Sequence, residues 1–427
     1  MTMHKMILAA SVAALCLSVA TANAAGFQLK EQSSSLQGAA FAGASAKADD
    51  LSTMFFNPAG MTRLENGTQG SVVASYVLPS AKFSTTSATD SLGGALTAGR
   101  GEGGDAGVGA VVPSFYAMVD LGLGDQWRTG VAVNTPFGLS TKYDNGWVGR
   151  YAALESELMT INVAPTVAYK INDRLSIGGN VQAQYADAKL TNAFFDGVGD
   201  GRTTLKGDDI AFGWGIGALW EATDDTRVGV NYRSRVVQKL DGNIRTVSST
   251  GAVVPAGTTA ATAGLTTPDV LSAGLVHELN DKWSLMGEVA WTNWSLFDDL
   301  TVVSDSGTTL QSVDESWDDT WFFAVGAEYK HSDAWTFRGG LAYDQSAVDT
   351  DHRTFRIPET DRIWTSLGAS YNINPATSID MNYTYIHAMD SRIDENFATA
   401  GGAVTGNVQG EFDANVNIAT VGVNFKF

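Results

Sequence analysis

A chain of 427 residues with 27 Lys and Arg against 46 Asp and Glu has a net charge of −19, which gives no electrostatic basis for holding nucleic acid. Its single cysteine excludes a disulfide framework. Beyond the N-terminal leader, no apolar run approaches the ~20 residues that a membrane-spanning helix needs.

The leader comes first. His4 and Lys5 precede an apolar run from Ile7 to Ala20, and Ala22-Asn23-Ala24 supplies a small-residue cleavage site. Residues 1–24 therefore read as a cleaved secretory signal peptide. The cysteine, Cys16, lies inside it and follows Leu15, which does not suit a lipoprotein signal. The expected mature chain begins at Ala25 and has no thiol chemistry.

Residues 25–66 are too polar and too rich in Ser, Ala and Gly to be a membrane strand. They are expected to form an N-terminal plug, with short helices at 39–42 and 44–54 and Asp49-Asp50 contributing to a helix start. From residue 67 to 427 the pattern is one of alternating strands. On Leu175–Tyr185, Leu175, Ile177, Val181 and Tyr185 share one face, while Ser176, Asn180, Gln182 and Gln184 share the other. Trp283, Leu285, Val289 and Trp291 repeat the pattern, as do Trp321, Phe323, Val325 and Tyr329.

The connections alternate between short and long. Asn172-Asp173, Asn280-Asp281, Ser332-Asp333 and Asn374-Pro375 are tight and polar, with Tyr169, Tyr329 and Tyr371 before such turns and Trp127, Trp283 and Trp335 after them. A ring of turns bordered by Tyr and Trp is the interfacial girdle of a periplasmic rim, and His277 occupies an equivalent position. Strands are expected at about 68–83, 110–121, 127–141, 160–171, 174–189, 210–222, 226–240, 268–279, 282–297, 320–330, 335–347, 361–373, 376–388 and 413–427. The segments 84–109, 246–267 and 389–412 are left as extracellular loops or extended hairpin tips. The fold class is all-β, a transmembrane antiparallel barrel of fourteen strands in an outer membrane. A barrel of that width leaks unless something fills it, which gives residues 25–66 their place in the lumen.

The order of several motifs resembles the FadL-type long-chain fatty-acid and hydrophobic-compound transporters of Gram-negative outer membranes. These are the opening Ala25-Gly26-Phe27-Gln28-Leu29, Ala48-Asp49-Asp50, Asn57-Pro58-Ala59, Pro136-Phe137-Gly138-Leu139, Asn231-Tyr232-Arg233-Ser234, Arg338-Gly339-Gly340 and Ile357-Pro358-Glu359 through Trp364. The resemblance implies a monomeric barrel with an N-terminal hatch and uptake of a long-chain fatty acid or another hydrophobic ligand. It also implies that Phe27 reaches the ligand pocket and that the third strand carries a kinked wall opening close to the hatch. Such a barrel would sit among outer-membrane lipid and lipopolysaccharide, and its terminal Phe427 suits recognition by the outer-membrane assembly machinery.

Four groups of residues carry the expected function. Phe27, Asn57, Pro58 and Ala59 are hatch candidates, with Asn57-Pro58-Ala59 placed against the third strand. Pro136, Phe137 and Gly138 form a lateral gate or, equally, a simple bulge, since proline removes a ladder donor. Arg233 and Arg235 share the lumen face by strand parity; either could hold a ligand carboxylate, or pair with an acid such as Glu288 or Glu328. Trp147, Tyr151 and Leu154, with Phe194 and Phe195, could form a capture site or a packed loop. Inward Met118, Ile386, Val416 and Ile418 favour an apolar ligand over a water-filled pore. No cofactor, metal site or catalytic motif is expected. A barrel-embedded lipase using His387, an importer of aromatic or alkane hydrocarbons, and a general porin remain the other readings.

Overall fold

The computed structural model describes residues 26–90, 94–95, 100–254, 258–389, 391–398 and 405–427; the expected leader and Ala25 lie outside them. The chain is organised by twenty antiparallel segments in one sheet. In order these are β1 (Gln69–Asp90), β2 (Ala110–Val119), β3 (Trp127–Asn134), β4 (Gly138–Lys142), β5 (Glu155–Lys170), β6 (Leu175–Phe195), β7 (Asp200–Glu221), β8 (Thr226–Arg233), β9 (Val236–Val247) and β10 (Thr259–Thr267). Next come β11 (Val270–Glu278), β12 (Trp283–Thr292), β13 (Asp299–Ser304), β14 (Thr309–Asp314), β15 (Thr320–Lys330), β16 (Trp335–Asp344), β17 (Arg362–Asn374), β18 (Thr377–Ala388), β19 (Arg392–Ala398) and β20 (Thr405–Lys426).

Six wall strands are split in two: β3/β4, β8/β9, β10/β11, β12/β13, β14/β15 and β18/β19. The twenty segments therefore make fourteen strands, and pairing of β1 with β20 from Gln69↔Lys426 to Asp90↔Gly406 closes the barrel. Closure leaves no sheet edge in the bilayer, which is what makes a strand structure tolerable there. The expected periodicity holds on β6, where Ile177 and Val181 are exposed to lipid and Ser176, Gln182 and Gln184 are buried inward.

The periodic short turns form one rim. Across neighbouring strands Trp127 meets Tyr169, Trp283 meets Tyr329 and Trp335 meets Tyr371, with ring centroids 4.6, 4.7 and 4.7 Å apart. Measured from that rim, β3, β8, β11, β12 and β15 run 8, 8, 9, 10 and 11 residues before the ladder is interrupted. That is about the length of a strand that spans a membrane, so the breaks fall near its outer surface. The segments beyond them form a cap at the end of the barrel opposite the rim. Strand structure reaches further there than the sequence indicated: β1, β9, β10, β19 and β20 build extended hairpins within 84–109, 246–267 and 389–412.

The residues from Gly26 to Leu64 contact the inner face of the wall on several sides. Ser34 Oγ donates to Asp380 at 2.9 Å, Gln37 Nε2 to Thr384 at 2.8 Å, and Lys47 Nζ to Glu328 at 2.6 Å. Ser45 shares a hydrogen bond with Ser272 at 2.8 Å, and Thr62 with Ser176 at 2.7 Å. Its helices differ from expectation. They are α1 (Ser34–Gln37), capped by Ser33, α2 (Thr53–Phe56), and a 3-10 turn over Pro58–Arg63. Residues 39–42 do not form a helix because Ala40 and Phe41 adopt φ of 51° and 60°. Without a helix to satisfy it, the backbone folds through successive turns packed against Gly326 and Gly340 of the wall, where a Cβ would meet Ala39.

Glu328 ties this segment to the wall most tightly. It accepts from Lys47 at 2.6 Å and from Arg338 Nε at 2.6 Å, and all three side chains are nearly inaccessible. Removing one partner of such a set leaves uncompensated buried charge, at a cost of ~3–5 kcal/mol. Glu328→Leu leaves Lys47 and Arg338 only their longer ion pairs, to Asp49 at 3.6 Å and Asp380 at 3.9 Å, and is expected to loosen the N-terminal segment, seen as faster proteolysis between residues 38 and 52 in an otherwise intact barrel. Proteolysis at the wild-type rate would show that the ion pairs contribute nothing to seating it.

Candidate functional site: a wall break beside an apolar cavity

Between β3 and β4 the ladder to β5 skips. Asn134 pairs Asn162, while Gly138 pairs Met159, so three residues (Thr135, Pro136, Phe137) oppose two (Thr160, Ile161). The extra residue inverts the alternation: Ala132 and Asn134 face inward below the break, Leu139 and Thr141 above it. Pro136 has no N–H to offer a neighbour. Thr160 holds the kink from one side, accepting from the Phe137 amide at 3.0 Å and donating to the Phe137 carbonyl at 2.8 Å.

On the other side the wall is unpaired from the break up to the bridge Gly107↔Thr141, beside which Lys142 N donates to Ala106 O at 3.0 Å. The ladder between β2 and β3 ends at Phe115↔Val133, and among the described residues Ala110–Ser114 have backbone partners only on β1. The N-terminal segment occupies this place. Leu29 N donates to Pro136 O, and Gly138 N to Phe27 O, each at 2.8 Å. Gln32 bridges both lips of the break: its Oε1 accepts from Ser114 Oγ at 2.7 Å and from Thr135 N at 3.3 Å, and its Nε2 donates to Thr135 O at 2.7 Å. Tyr116 OH donates to the Gln32 carbonyl at 2.6 Å. Sequence reasoning missed Gln32; a glutamine in a Ser-rich segment, with Gln28 and Gln37 close by, carries no signal of the carbonyl and amide it faces across the fold.

Phe27 is buried among Phe137, Trp294, Phe297 and Trp317, with centroids 6.0, 4.7, 5.6 and 5.7 Å from its own. Edge-to-face packing of this kind is favourable beyond the area it buries. Gly26 must be glycine here, because its φ is +56° and a Cβ would meet Trp294 and Trp317 at 2.6 and 2.7 Å. Above Phe27 lies a cavity, partly open to solvent, walled by Leu139, Leu158, Leu190, Leu205, Leu240, Leu265 and Phe297. Its largely apolar lining suits a hydrophobic ligand.

Arg356 lines that cavity, as do Glu157, Lys206 and Glu315. Its guanidinium donates to neutral oxygens, Ala152 O at 2.9 Å, Ser156 Oγ at 3.2 Å and Thr191 O at 3.4 Å, and among the described residues no carboxylate lies within 4.0 Å of it. Glu315 and Glu395, the acids that act on it electrostatically, are pushed up to about 7 by burial. The cavity thus holds a cation without a full counter-charge.

The other expected site residues fall elsewhere. Arg233 is inward but lies over the Phe55 ring, 3.8 Å from its centroid, and donates to Gln182 at 3.2 Å. Arg235 does not share its face: the interruption between β8 and β9 shifts parity, so Arg235 is 46% exposed on the outside and paired with Asp269 at 2.7 Å. Neither arginine pairs with Glu288 or Glu328; Glu288 accepts from Ser45, and Glu328 from Lys47 and Arg338. Asn57-Pro58-Ala59 lies against the fifth and sixth strands rather than the third. Asn57 Nδ2 donates to Ala218 O at 2.9 Å and to Ser45 O at 2.7 Å, and Pro58 and Ala59 fit over Gly178. Trp147, Tyr151 and Leu154 are buried in the cap, Trp147 stacked on Tyr143 at 4.1 Å and against Phe355 at 4.8 Å. They leave no open capture surface; Phe195 packs at the edge of this cluster, and Phe194 is half-buried beside it.

Comparison with known proteins agrees with this architecture. The family model for outer membrane protein transport proteins (OMPP1/FadL/TodX) matches residues 15–427. The chain is 31% identical over 412 residues to the long-chain fatty acid transport protein of Escherichia coli O6:H1, covering 88% of this chain and 90% of that one. It is 29% identical to outer membrane protein P1 of Haemophilus influenzae strain Rd, over 97% and 98% of the two chains. The crystal structure of a Pseudomonas aeruginosa FadL homologue superimposes with a TM-score of 0.87 at 28% identity, covering 94% of this chain and all of that one. The Ralstonia pickettii toluene transporter TbuX shares the fold, with a TM-score of 0.69 at 20% identity over 95% and 99% of the chains. A closed barrel with no helical span among the described residues, matched over residues 15–427 by outer-membrane transport proteins rather than enzymes, places this chain in the outer membrane as a member of the OMPP1/FadL/TodX family.

Proposed function

We propose that this barrel takes up long-chain fatty acids, after removal of residues 1–24, and releases them sideways through the third-strand break. The carrying observation is the adjacency of three parts: a leucine-lined cavity with an uncompensated arginine, Phe27 as its floor, and a break whose hydrogen bonds are completed by Phe27–Leu29 and Gln32. An alkyl tail enters from the cap and lies against the leucines while its carboxylate meets Arg356. Displacement of Phe27 together with Leu29 withdraws the backbone partners of Gly138 and Pro136. The N-terminal segment, residues 25–66, acts as the hatch, and the ligand passes from the break into the membrane.

Lateral release has a thermodynamic reason. Each CH₂ taken out of water gains about 0.8 kcal/mol, so a sixteen-carbon tail loses on the order of 10 kcal/mol if expelled into an aqueous periplasm. A route that stays in contact with lipid avoids that loss.

The aromatic cage around Phe27 favours a second reading, uptake of aromatic hydrocarbons. Growth of a deletion strain on oleate against toluene separates the two. The fatty-acid reading expects the oleate defect alone, restored by the wild-type gene; a toluene defect without an oleate defect would transfer the function to hydrocarbons. A general porin would instead give large ion conductance in planar bilayers, where a seated hatch keeps it small.

A further inference from the structure

Arg233 ends β8 on the lumen face, half-buried. Among the described residues no carboxylate lies within 4.0 Å of it. Its partners are the Phe55 ring, with the centroid 3.8 Å from the guanidinium carbon, and Gln182 Oε1, 3.2 Å from Nη2. A guanidinium carries several N–H donors in a planar fork, and a single acceptor oxygen uses few of them. Other wall arginines differ: Arg227, Arg338 and Arg362 each pair with a carboxylate, at 3.0, 2.6 and 2.8 Å.

The Arg233 guanidinium lines a small cavity with Gln28, Pro136, Phe137, Gln182 and Gln184, and no acidic residue is among those that line it. Gln184 is wholly buried; its Oε1 has no donor and its Nε2 is 3.5 Å from Thr267 Oγ1. Turned about its last bond, that amide presents a second N–H to the cavity. The cavity also has a telling position. Phe27 and Leu139 line the leucine-walled cavity of Arg356, whereas their neighbours Gln28, Pro136 and Phe137 line this one. An antiparallel bridge between Gln28 and Phe137 joins the two segments there. Arg233 is therefore on the break side of the hatch segment, and Arg356 is on the other. An ionised carboxylate that leaves Arg356 with no cation ahead of it is buried unpaired, which is the costly form of burial.

We infer that Arg233 is a second binding site for the fatty acid's carboxylate, a transfer station between the Arg356 cavity and the third-strand break. When Phe27–Leu29 withdraws, the two cavities join, and the carboxylate passes from one guanidinium to the other. Arg233 receives it through its unused N–H donors, as a charge-assisted pair, while Phe55 stays against the guanidinium. The head group is then paired on both sides of the hatch. The inference rests on the fatty-acid reading and adds to it a residue of the exit path.

The bland role for Arg233 is to anchor the hatch through Phe55, and the test separates the two. Uptake of labelled oleate is measured against concentration in cells that carry this barrel as their long-chain importer. Arg233→Met is expected to lower the maximal rate about 10- to 100-fold, the loss of one hydrogen-bonded charge, with the half-saturating concentration changed by less than about threefold. Arg233→Lys keeps the charge and is expected to recover most of the rate. Phe55→Leu removes the ring and is expected to retain the wild-type rate. Heat-modifiable electrophoretic mobility reports folding, and Arg233→Gln takes the place of a methionine variant that does not assemble. Wild-type uptake by the folded Arg233→Met or Arg233→Gln barrel overturns the station and leaves the fatty-acid reading standing. Arg233→Lys as slow as Arg233→Met overturns it too, since charge is then not what matters. Phe55→Leu as slow as Arg233→Met makes Arg233 a hatch anchor, and a rise in half-saturating concentration as large as the fall in rate puts it in the resting site; either result overturns the station. No oleate uptake by the wild-type barrel overturns the fatty-acid reading and the station together.

Discussion

Deletion of Pro136 is expected to reduce fatty-acid uptake to background while leaving a folded barrel that still binds ligand. The reason is register. Three residues of the third strand oppose two of β5, and removing one restores equal numbers. Leu139 then falls into step with Ala132 and Asn134, which already face inward below the break. Deletion also removes the residue that cannot donate to a neighbour. The continuous strand can extend its pairing with β2 from Phe115↔Val133 along Ala110–Ser114, a stretch that now meets Gln32 through the Ser114 side chain, towards the bridge at Gly107↔Thr141. With the lateral path shut, a ligand must leave into water. A penalty on the order of 10 kcal/mol is about seven powers of ten in rate or occupancy. Residual leakage by that path is therefore below detection. Filling the break instead, with a bulky side chain at Gly138, should act in the same direction. Uptake of labelled oleate by cells, compared with ligand binding to the purified variant, checks this. Wild-type uptake by a folded Pro136 deletion would place the exit elsewhere.

The same register arithmetic explains which features could be read from the chain and which could not. Strand positions and the rim were legible because lipid imposes a strict period of two and because tight polar turns flanked by Trp and Tyr recur. Pro136 was legible because proline has only a few places in a sheet. Arg235 was assigned to the lumen by extending the parity of β8 through Ser234. An interruption inverts parity, and Ser234 gives no sign of one, since its cause is Asp269 on the neighbouring strand, which accepts from the Arg235 amide at 2.9 Å and from Tyr232 OH at 2.6 Å. The cap was harder still. Trp147 and Tyr151 look like exposed aromatics in a loop, and only Phe83, Phe355 and Phe412, distant in sequence, make them a core. Arg356 escaped notice for the converse reason: it sits among hydrophobic loop residues with acids near in sequence, and that no acid pairs with it is a property of the folded cap alone.

Arg356→Met is expected to weaken binding of a long-chain carboxylate by about 10- to 100-fold while leaving binding of an alkane or an aromatic hydrocarbon unchanged. A hydrogen bond to a charged partner contributes about 1.5–3 kcal/mol, which sets that range; the methionine keeps much of the apolar stem. The guanidinium already has neutral acceptors in Ala152, Ser156 and Thr191, so its loss leaves neutral oxygens and no stranded charge. The stability cost should be correspondingly small. The pH dependence comes from Glu315 and Glu395, both raised to about 7 by burial. Below that value they are mostly protonated, and Arg356 faces the ligand as a net positive charge. Above it they ionise and oppose a second carboxylate. Binding the ligand then raises their proton affinity further, so protons are taken up on binding and affinity falls as the pH rises. Oleate is thus expected to bind more tightly at pH 6 than at pH 8, with the change centred near 7, while a hydrocarbon ligand shows no such slope. Titration calorimetry on the barrel in amphipols, with oleate and a hydrocarbon of similar length, measures both. If Arg356→Met weakens the two ligands equally, the arginine shapes the cavity without recognising a carboxylate, and the hydrocarbon reading gains what the fatty-acid reading loses.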